Sequence, residues 1–96
     1  MSGYELVFIV QPELEQESLD ALVQKITETI SDLEGQVEQV DPWGKRRLAY
    51  PIQNYSEAFY YLMQIELPRT SVRNLERNLK LTENVIRHLV LRIDGH

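Results

Sequence analysis

Three adjacent cations, Lys45, Arg46 and Arg47, are the residues of this chain whose type and spacing most directly indicate chemistry. Residues 1–41 hold ten acids and one base, a net charge of −9, whereas residues 42–96 hold five acids and nine bases, a net charge of +4. Lysine and arginine side chains neutralise phosphate groups, so the second half of the chain is suited to contact a polyanion. We call these three residues the cationic cluster.

The cationic cluster has two interpretations. Charged residues on an edge strand deter pairing with other strands, or they contact phosphate groups together with the other cations of the second half: Arg69, Arg73, Arg77, Lys80, Arg87 and Arg92. Successive strand residues point to opposite faces, so Arg46 cannot do the same work as its two neighbours. Arg46 shares its parity with Leu48 and Tyr50, which predicts a protein-covered position for it. Lys45 and Arg47 are the better phosphate candidates.

The elements that position the cationic cluster follow from hydrophobic periodicity. The pattern predicts, in chain order, a strand over 4–10, a helix with its apolar face from Leu19 to Leu33, a broken edge strand with a bulge over 36–52, a strand over 59–67, a shorter helix around 72–80 and a strand from Val85 to Ile93. This β-α-β-β-α-β order predicts one α+β domain over 1–96 with the ferredoxin-like split fold. It has a four-stranded antiparallel sheet, two helices on one face, and strands one and three in the centre.

Two local signals predict how the helices begin and end. Gly35 directly follows the first helix, where a left-handed residue is most easily a glycine. Thr70 or Ser71 precedes the second helix, where a hydroxyl side chain can cap free backbone N–H groups.

One face of the predicted sheet carries apolar side chains without a helix above it. Alternation directs Leu6, Phe8 and Val10 toward the helices and leaves the opposite parity, which we call the open face, to Val7, Ile9, Tyr60 and Leu62. An uncovered apolar patch indicates a partner surface. Tyr60 is the one aromatic residue of the run 59–61 on this parity, so base stacking in the manner of an RNA-recognition motif is disfavoured.

The sequence excludes several enzyme and membrane classes. The chain has no cysteine, so it offers no disulfide, thiol nucleophile or thiolate metal site. The loop over 11–17 is acidic and would repel the phosphate that an acylphosphatase-like site must bind. The acids of the first helix are spread over a solvated face, without an apolar pocket to raise a pKa. We therefore expect no enzyme activity, cofactor, metal, small-molecule substrate or membrane span.

The residues also carry a resemblance to a known family. The chain resembles the bacterial small-subunit ribosomal protein S6 family, and the acidic first half with Trp43-Gly44-Lys45 is most similar to its cyanobacterial and plastid branch. The resemblance covers nearly the whole chain and rests on four runs at family spacing: Tyr4-Glu5, Gly44-x-Arg46-Arg47-Leu48-Ala49-Tyr50-Pro51-Ile52, Gln64-Ile65-Glu66-Leu67-Pro68 and Asn84-Val85-Ile86-Arg87.

The resemblance implies a non-enzymatic ribosomal protein that binds the central domain of 16S ribosomal RNA cooperatively with small-subunit protein S18. It implies a cytoplasmic location on the ribosome, or the plastid stroma for a plastid-encoded chain. With the charge pattern, it predicts RNA contacts at Tyr4, Lys45, Arg47, Arg87 and Arg92. With the face assignment, it predicts a partner interface at Val7, Ile9, Arg46, Tyr60 and Leu62.

A second function class stays open at this point. A ferredoxin-like regulatory or ligand-binding domain would also have an apolar open face and would use it to form a homodimer. The two classes differ in salt dependence, because phosphate contacts weaken steeply with salt and apolar contacts do not.

Overall fold

The computed structural model describes residues 1–93, so the last three residues of the predicted domain lie outside the described residues. The described chain forms a four-stranded antiparallel sheet in the order β2-β3-β1-β4, with two α-helices. This confirms the predicted ferredoxin-like α+β fold and its central strands. The elements are β1 Ser2–Val10, α1 Gln16–Asp32, β2 Gln36–Ile52, β3 Tyr55–Leu67, a short 3₁₀ helix Arg69–Ser71, α2 Val72–Leu81 and β4 Val85–Arg92.

The main core lies between the sheet and the two helices. Strands β1 and β3 pair along their whole shared length, from Ser2 opposite Leu67 to Val10 opposite Phe59. At the centre, the rings of Phe8 and Tyr61 stack with centroids 5.1 Å apart. The alternation of both strands puts one parity into this core, as predicted, where it meets the apolar faces of the helices: Leu6, Phe8, Val10, Leu19, Leu22, Ile26, Ile30, Tyr61, Met63, Ile65, Leu67, Leu75 and Leu79.

A two-residue turn joins β2 and β3 into a hairpin. Gln53 and Asn54 both have positive φ, 51° and 70°, which is the geometry whose twist matches that of the flanking strands. Strand β2 lies at the edge of the sheet, and its register with β3 shifts three times. The last shift runs from Arg47 to Ile52, so residues 48–51 leave the regular ladder. The predicted edge strand with a bulge is therefore present, with more irregularity than expected.

A second, smaller core lies on the open face. Its buried members are Ile9, Ala58 and Ile86, and Leu48, Ile52, Tyr55 and Tyr60 pack against them. The end of the β2–β3 hairpin thus covers part of a face that alternation alone predicts to be uncovered. Ile9 is only 8% exposed. The hairpin of its own chain thus covers most of Ile9, and its predicted partner contact stays a prediction.

The predicted left-handed glycine at the end of α1 is wrong in detail. Glu34 has the positive φ, 68°, while Gly35 is required for another reason. A Cβ atom at Gly35 would lie 2.5 Å from the carbonyl oxygen of Glu66 and 2.7 Å from a methyl carbon of Leu67. The glycine therefore permits the chain to pass close to the end of β3.

The predicted hydroxyl cap of α2 is also wrong. The 3₁₀ turn over Arg69–Ser71 leads directly into α2, and Ser71 has helical φ and ψ with no capping bond from its side chain. Instead, the Ser71 hydroxyl donates to the carbonyl oxygen of Leu33 at 3.1 Å. It satisfies a carbonyl group at the end of α1 and ties the two helices together.

Candidate nucleic-acid and partner interface

The pairing of β2 with β3 separates the members of the cationic cluster. Arg46 pairs with Ala58, a member of the open-face core, so it lies on the open face. Lys45 pairs with Phe59, which packs against the main core, so it lies on the helix face with Arg47. The Lys45 ammonium is 5.2 Å from the centroid of the Phe59 ring. All three cations are exposed, and they point in two directions.

On the open face, Trp43 contacts both an aromatic ring and a cation. Its ring is nearly parallel to that of Tyr60, at 7° with centroids 6.3 Å apart. The Arg46 guanidinium lies 5.7 Å from the Trp43 centroid, and its Nε donates to the Trp43 carbonyl oxygen at 3.3 Å. Gly44, with φ of 79°, permits the turn between them. Trp43 remains 41% exposed, so the stack presents an aromatic surface as well as a charge.

Arg87 joins the two outer strands across the open face. Its Nη1 donates to the hydroxyl oxygen of Tyr50 at 2.9 Å. Tyr50 belongs to the segment 48–51, which leaves the β2–β3 ladder and reaches over the sheet. This hydrogen bond raises the pKa of Arg87 further above its ordinary value, so the guanidinium is charged throughout the physiological range. Arg87 is therefore both an exposed cation and the residue whose hydrogen bond holds Tyr50 of the hairpin near β4.

We expect Tyr50→Phe to loosen the hairpin without unfolding the protein. The change removes the hydroxyl that accepts from Arg87 and keeps the ring, so amide hydrogen exchange should become faster in residues 48–52 and stay unchanged in β1. Tyr55→Phe is the matched control, because it removes a neighbouring hydroxyl other than the one bonded to Arg87. Equal exchange in the hairpins of Tyr50→Phe and the wild-type protein would contradict a role for this bond.

The five predicted RNA contacts do not form one site. Tyr4 is 6% exposed and belongs to the main core, so its ring offers little surface to RNA, and its predicted RNA contact stays a prediction. The parity it shares with Phe8 explains this burial. Arg92 pairs with Tyr4, at the opposite end of the sheet from Lys45, and Arg87 lies on the open face. Six strand residues, about 20 Å, separate the two ends.

The five predicted partner contacts do share one face. Val7 pairs with Leu62 and Ile9 with Tyr60, and Arg46 lies beside them on the same side of the sheet. Their role in partner binding stays a prediction. The sequence prediction missed Leu89 and Leu91, which are 52% and 47% exposed.

Leu89 and Leu91 extend the open face along β4. Leu89 pairs with Val7, and Leu91 pairs with Glu5. Both share the parity of Arg87 in β4, a signal that could have found them. Leu89 and Val7 help to form a groove of about 330 Å³, lined by Val7, Ile9, Arg87, His88 and Leu89. The exposed part of the open face is thus an apolar strip with Arg87 beside it.

The described part of the chain has no cluster of potential metal ligands. Among residues 1–93, no group of three or more histidine, aspartate or glutamate side chains is placed to hold a metal ion. Burial, and after it the charge of Asp20, raises the pKa of Tyr61, so this hydroxyl is no base at neutral pH. No helix within residues 1–93 is long and apolar enough to cross a membrane.

The chain is similar in sequence to a family of ribosomal proteins. The family model described as Ribosomal protein S6 matches residues 3–92. The small ribosomal subunit protein bS6 of Moorella thermoacetica is 43% identical over 94 residues, which cover 98% of this chain and 96% of that protein. The bS6 protein of Clostridioides difficile is 38% identical over 91 residues, which cover 95% of this chain and 98% of that protein.

A solved structure shows the same fold. The 30S ribosomal protein S6 from Thermotoga maritima superposes with a TM-score of 0.90 at 26% identity, and the match covers 96% of this chain and 87% of that chain. These relatives carry the name of a ribosomal protein and not that of an enzyme, so the expectation of a non-enzymatic protein is confirmed. The finer placement in the cyanobacterial and plastid branch stays a prediction. The chain belongs to the ribosomal protein S6 family.

Proposed function

We propose that this chain binds the central domain of 16S ribosomal RNA cooperatively with small-subunit protein S18, on the ribosome of the cytoplasm. One observation carries the proposal. The open face exposes an apolar strip that includes Leu89 and Leu91, with the Arg46–Trp43 stack on the same face and Arg87 beside the strip. Such a strip beside polar groups supports the binding of a protein partner.

The charge distribution supports a partner-dependent interaction with RNA. The net charge is −5, and the first half of the chain carries −9. This long-range repulsion opposes the local attraction between RNA and the exposed cations. A basic partner protein on the open face would reduce the repulsion and add phosphate contacts of its own. We therefore expect weak binding of RNA by the isolated chain.

The experiment is a titration of a central-domain 16S RNA fragment with the chain, with and without S18, at several salt concentrations. The proposal predicts weak binding alone and tight, salt-sensitive binding with S18. Tight binding without S18 at physiological salt would contradict the cooperative part. No binding in either case, together with a salt-insensitive homodimer in sedimentation, would instead favour the regulatory or ligand-binding alternative.

We expect the double change Lys45→Ala and Arg47→Ala to weaken assembly onto RNA in this titration. The slope of log affinity against log salt should fall by about one for each phosphate that the variant no longer binds, without a change in sequence preference. Lys25→Ala is the control, because Lys25 is an exposed cation on the acidic helix α1. An unchanged slope with folding intact would mean that these two side chains do not bind phosphate and only deter other strands from pairing with the edge of β2.

A further inference from the structure

Helix α2 presents a row of cations on its exposed side. The helix buries Leu75 and Leu79 against the core, which directs Arg73, Arg77 and Lys80 toward solvent. These three residues follow one another at spacings of four and three, so neighbouring Cβ atoms lie about 5–6 Å apart along one helix face. The regular spacing suits a ligand whose negative charges also repeat.

The cations of α2 border a groove that continues around the edge of the sheet. The first part, about 360 Å³, is lined by Arg73, Glu76, Arg77, Lys80 and His88. An adjoining part, about 280 Å³, is lined by Gln53, Lys80, Val85, Ile86, Arg87 and His88. The two parts share Lys80 and His88. They form one continuous surface, which we call the β4 track, from α2 past the outer side of β4 to Arg87.

The β4 track is the basic side of a helix layer whose other side is acidic. Its lining has four arginine and lysine side chains and one carboxylate, Glu76. Helix α1 carries four carboxylates, on residues 17, 20, 28 and 32, and one cation, Lys25. A polyanion that approaches the helix layer is therefore repelled over α1 and attracted over α2. The outer strand β4 adds backbone N–H groups, which can donate hydrogen bonds to phosphate oxygens.

We infer that the β4 track is a second RNA-contact surface, which takes consecutive phosphates of the RNA backbone on Arg73, Arg77 and Lys80. His88 offers a ring N–H donor in the same groove. This inference rests on the proposed function, because the same ribosomal RNA supplies the phosphates. The β4 track differs from the Lys45 and Arg47 surface, which lies on the opposite edge of the sheet. An acidic polypeptide is a different occupant, and the test below distinguishes it.

The test compares Lys80→Gln with Lys25→Gln in the titration of the central-domain RNA fragment with S18. Both changes remove one exposed lysine from a helix, and glutamine has nearly the helix propensity of lysine, so long-range charge and folding are matched. We expect Lys80→Gln to lower the log–log salt slope by about one and to weaken assembly several-fold at low salt. We expect Lys25→Gln to leave the slope unchanged.

A second variant, Arg73→Gln with Arg77→Gln, should lower the slope by about two, with a melting curve like that of the wild-type protein. Equal slopes for the wild-type protein, Lys80→Gln and the double variant would overturn the inference while the proposed function stands, and would leave the β4 track to an acidic protein. Failure of the wild-type protein to bind RNA with S18 would overturn the proposed function and this inference with it.

Discussion

Phe8→Ala should lower the free energy of unfolding by about 3–5 kcal/mol, the largest loss of stability that we expect from a single core substitution. Phe8 is fully buried in a central strand and stacks on Tyr61. Its removal leaves a cavity between strands that are paired on both sides, where the backbone cannot easily collapse. A domain of this size has about 5–14 kcal/mol of stability in total. The variant should therefore be marginally stable, as measured by equilibrium denaturation in urea.

The neighbouring residue provides the control for this experiment. Val7 lies in the same strand but on the open face, where it is only partly buried. Val7→Ala should cost clearly less than Phe8→Ala, because fewer buried atoms are removed. Equal losses for the two variants would mean that the open face contributes as much to folding as the helix face, and would contradict our account of the main core.

Much of the fold could be predicted because strand alternation and helical periodicity are local signals. Phe8 and Tyr61 share the parity of their apolar neighbours, and that parity correctly placed both in the main core. The same rule would have placed Tyr4 there. The family resemblance directed Tyr4 to RNA instead, and the structure agrees with parity, since Tyr4 is buried.

The coverage of the open face could not be predicted in the same way. Alternation within a strand predicts which face of the sheet a side chain points toward. It does not predict whether another segment of the chain covers that face. Ile9 is buried because residues 48–51 leave the ladder and cross the sheet, where Tyr50 accepts from Arg87. That path depends on the register shift between Arg47 and Ile52 and on a contact between residues 37 positions apart. Such long-range geometry has no local sequence signal.

The predictions for Gly35 and Ser71, at the ends of the helices, were wrong for a related reason. Gly35 suggested a left-handed residue, yet it is needed because the end of β3 approaches it closely. Ser71 suggested a cap, yet its hydroxyl bonds to Leu33 across the helix layer. In both cases the residue type was informative, but its partner lies more than thirty positions away in the sequence. Local capping rules cannot identify a partner at that distance.

Some features of the candidate interface could likewise be predicted from the sequence, and others could not. The sequence correctly separated Arg46 from Lys45 and Arg47, because that separation follows from alternation within one strand. It did not show that Arg46 and Tyr60 both contact Trp43, because the contact requires the turn at Gly44. Tyr60 consequently contributes to the fold as well as to the surface. It is therefore a poorer probe of partner binding than Leu62, which also lies on the open face.

Leu62→Glu should weaken partner-dependent assembly on RNA by about 30-fold or more, equivalent to about 2 kcal/mol, with a smaller loss of stability than Phe8→Ala. Leu62 lies in the central strand β3, opposite Val7, on the exposed apolar surface that the proposed partner would cover. A carboxylate there would have to be desolvated in the complex without a matched donor, which is the physical reason for the large effect.

Gln64→Glu is the matched control, because it adds the same charge two residues along the same face of the same strand. Titration of the RNA fragment with S18 and each variant measures the effect, and urea denaturation measures the stability. If Leu62→Glu assembled as well as Gln64→Glu, the apolar strip would not be the partner surface. If its loss of stability equalled that of Phe8→Ala, Leu62 would belong to the folding core instead.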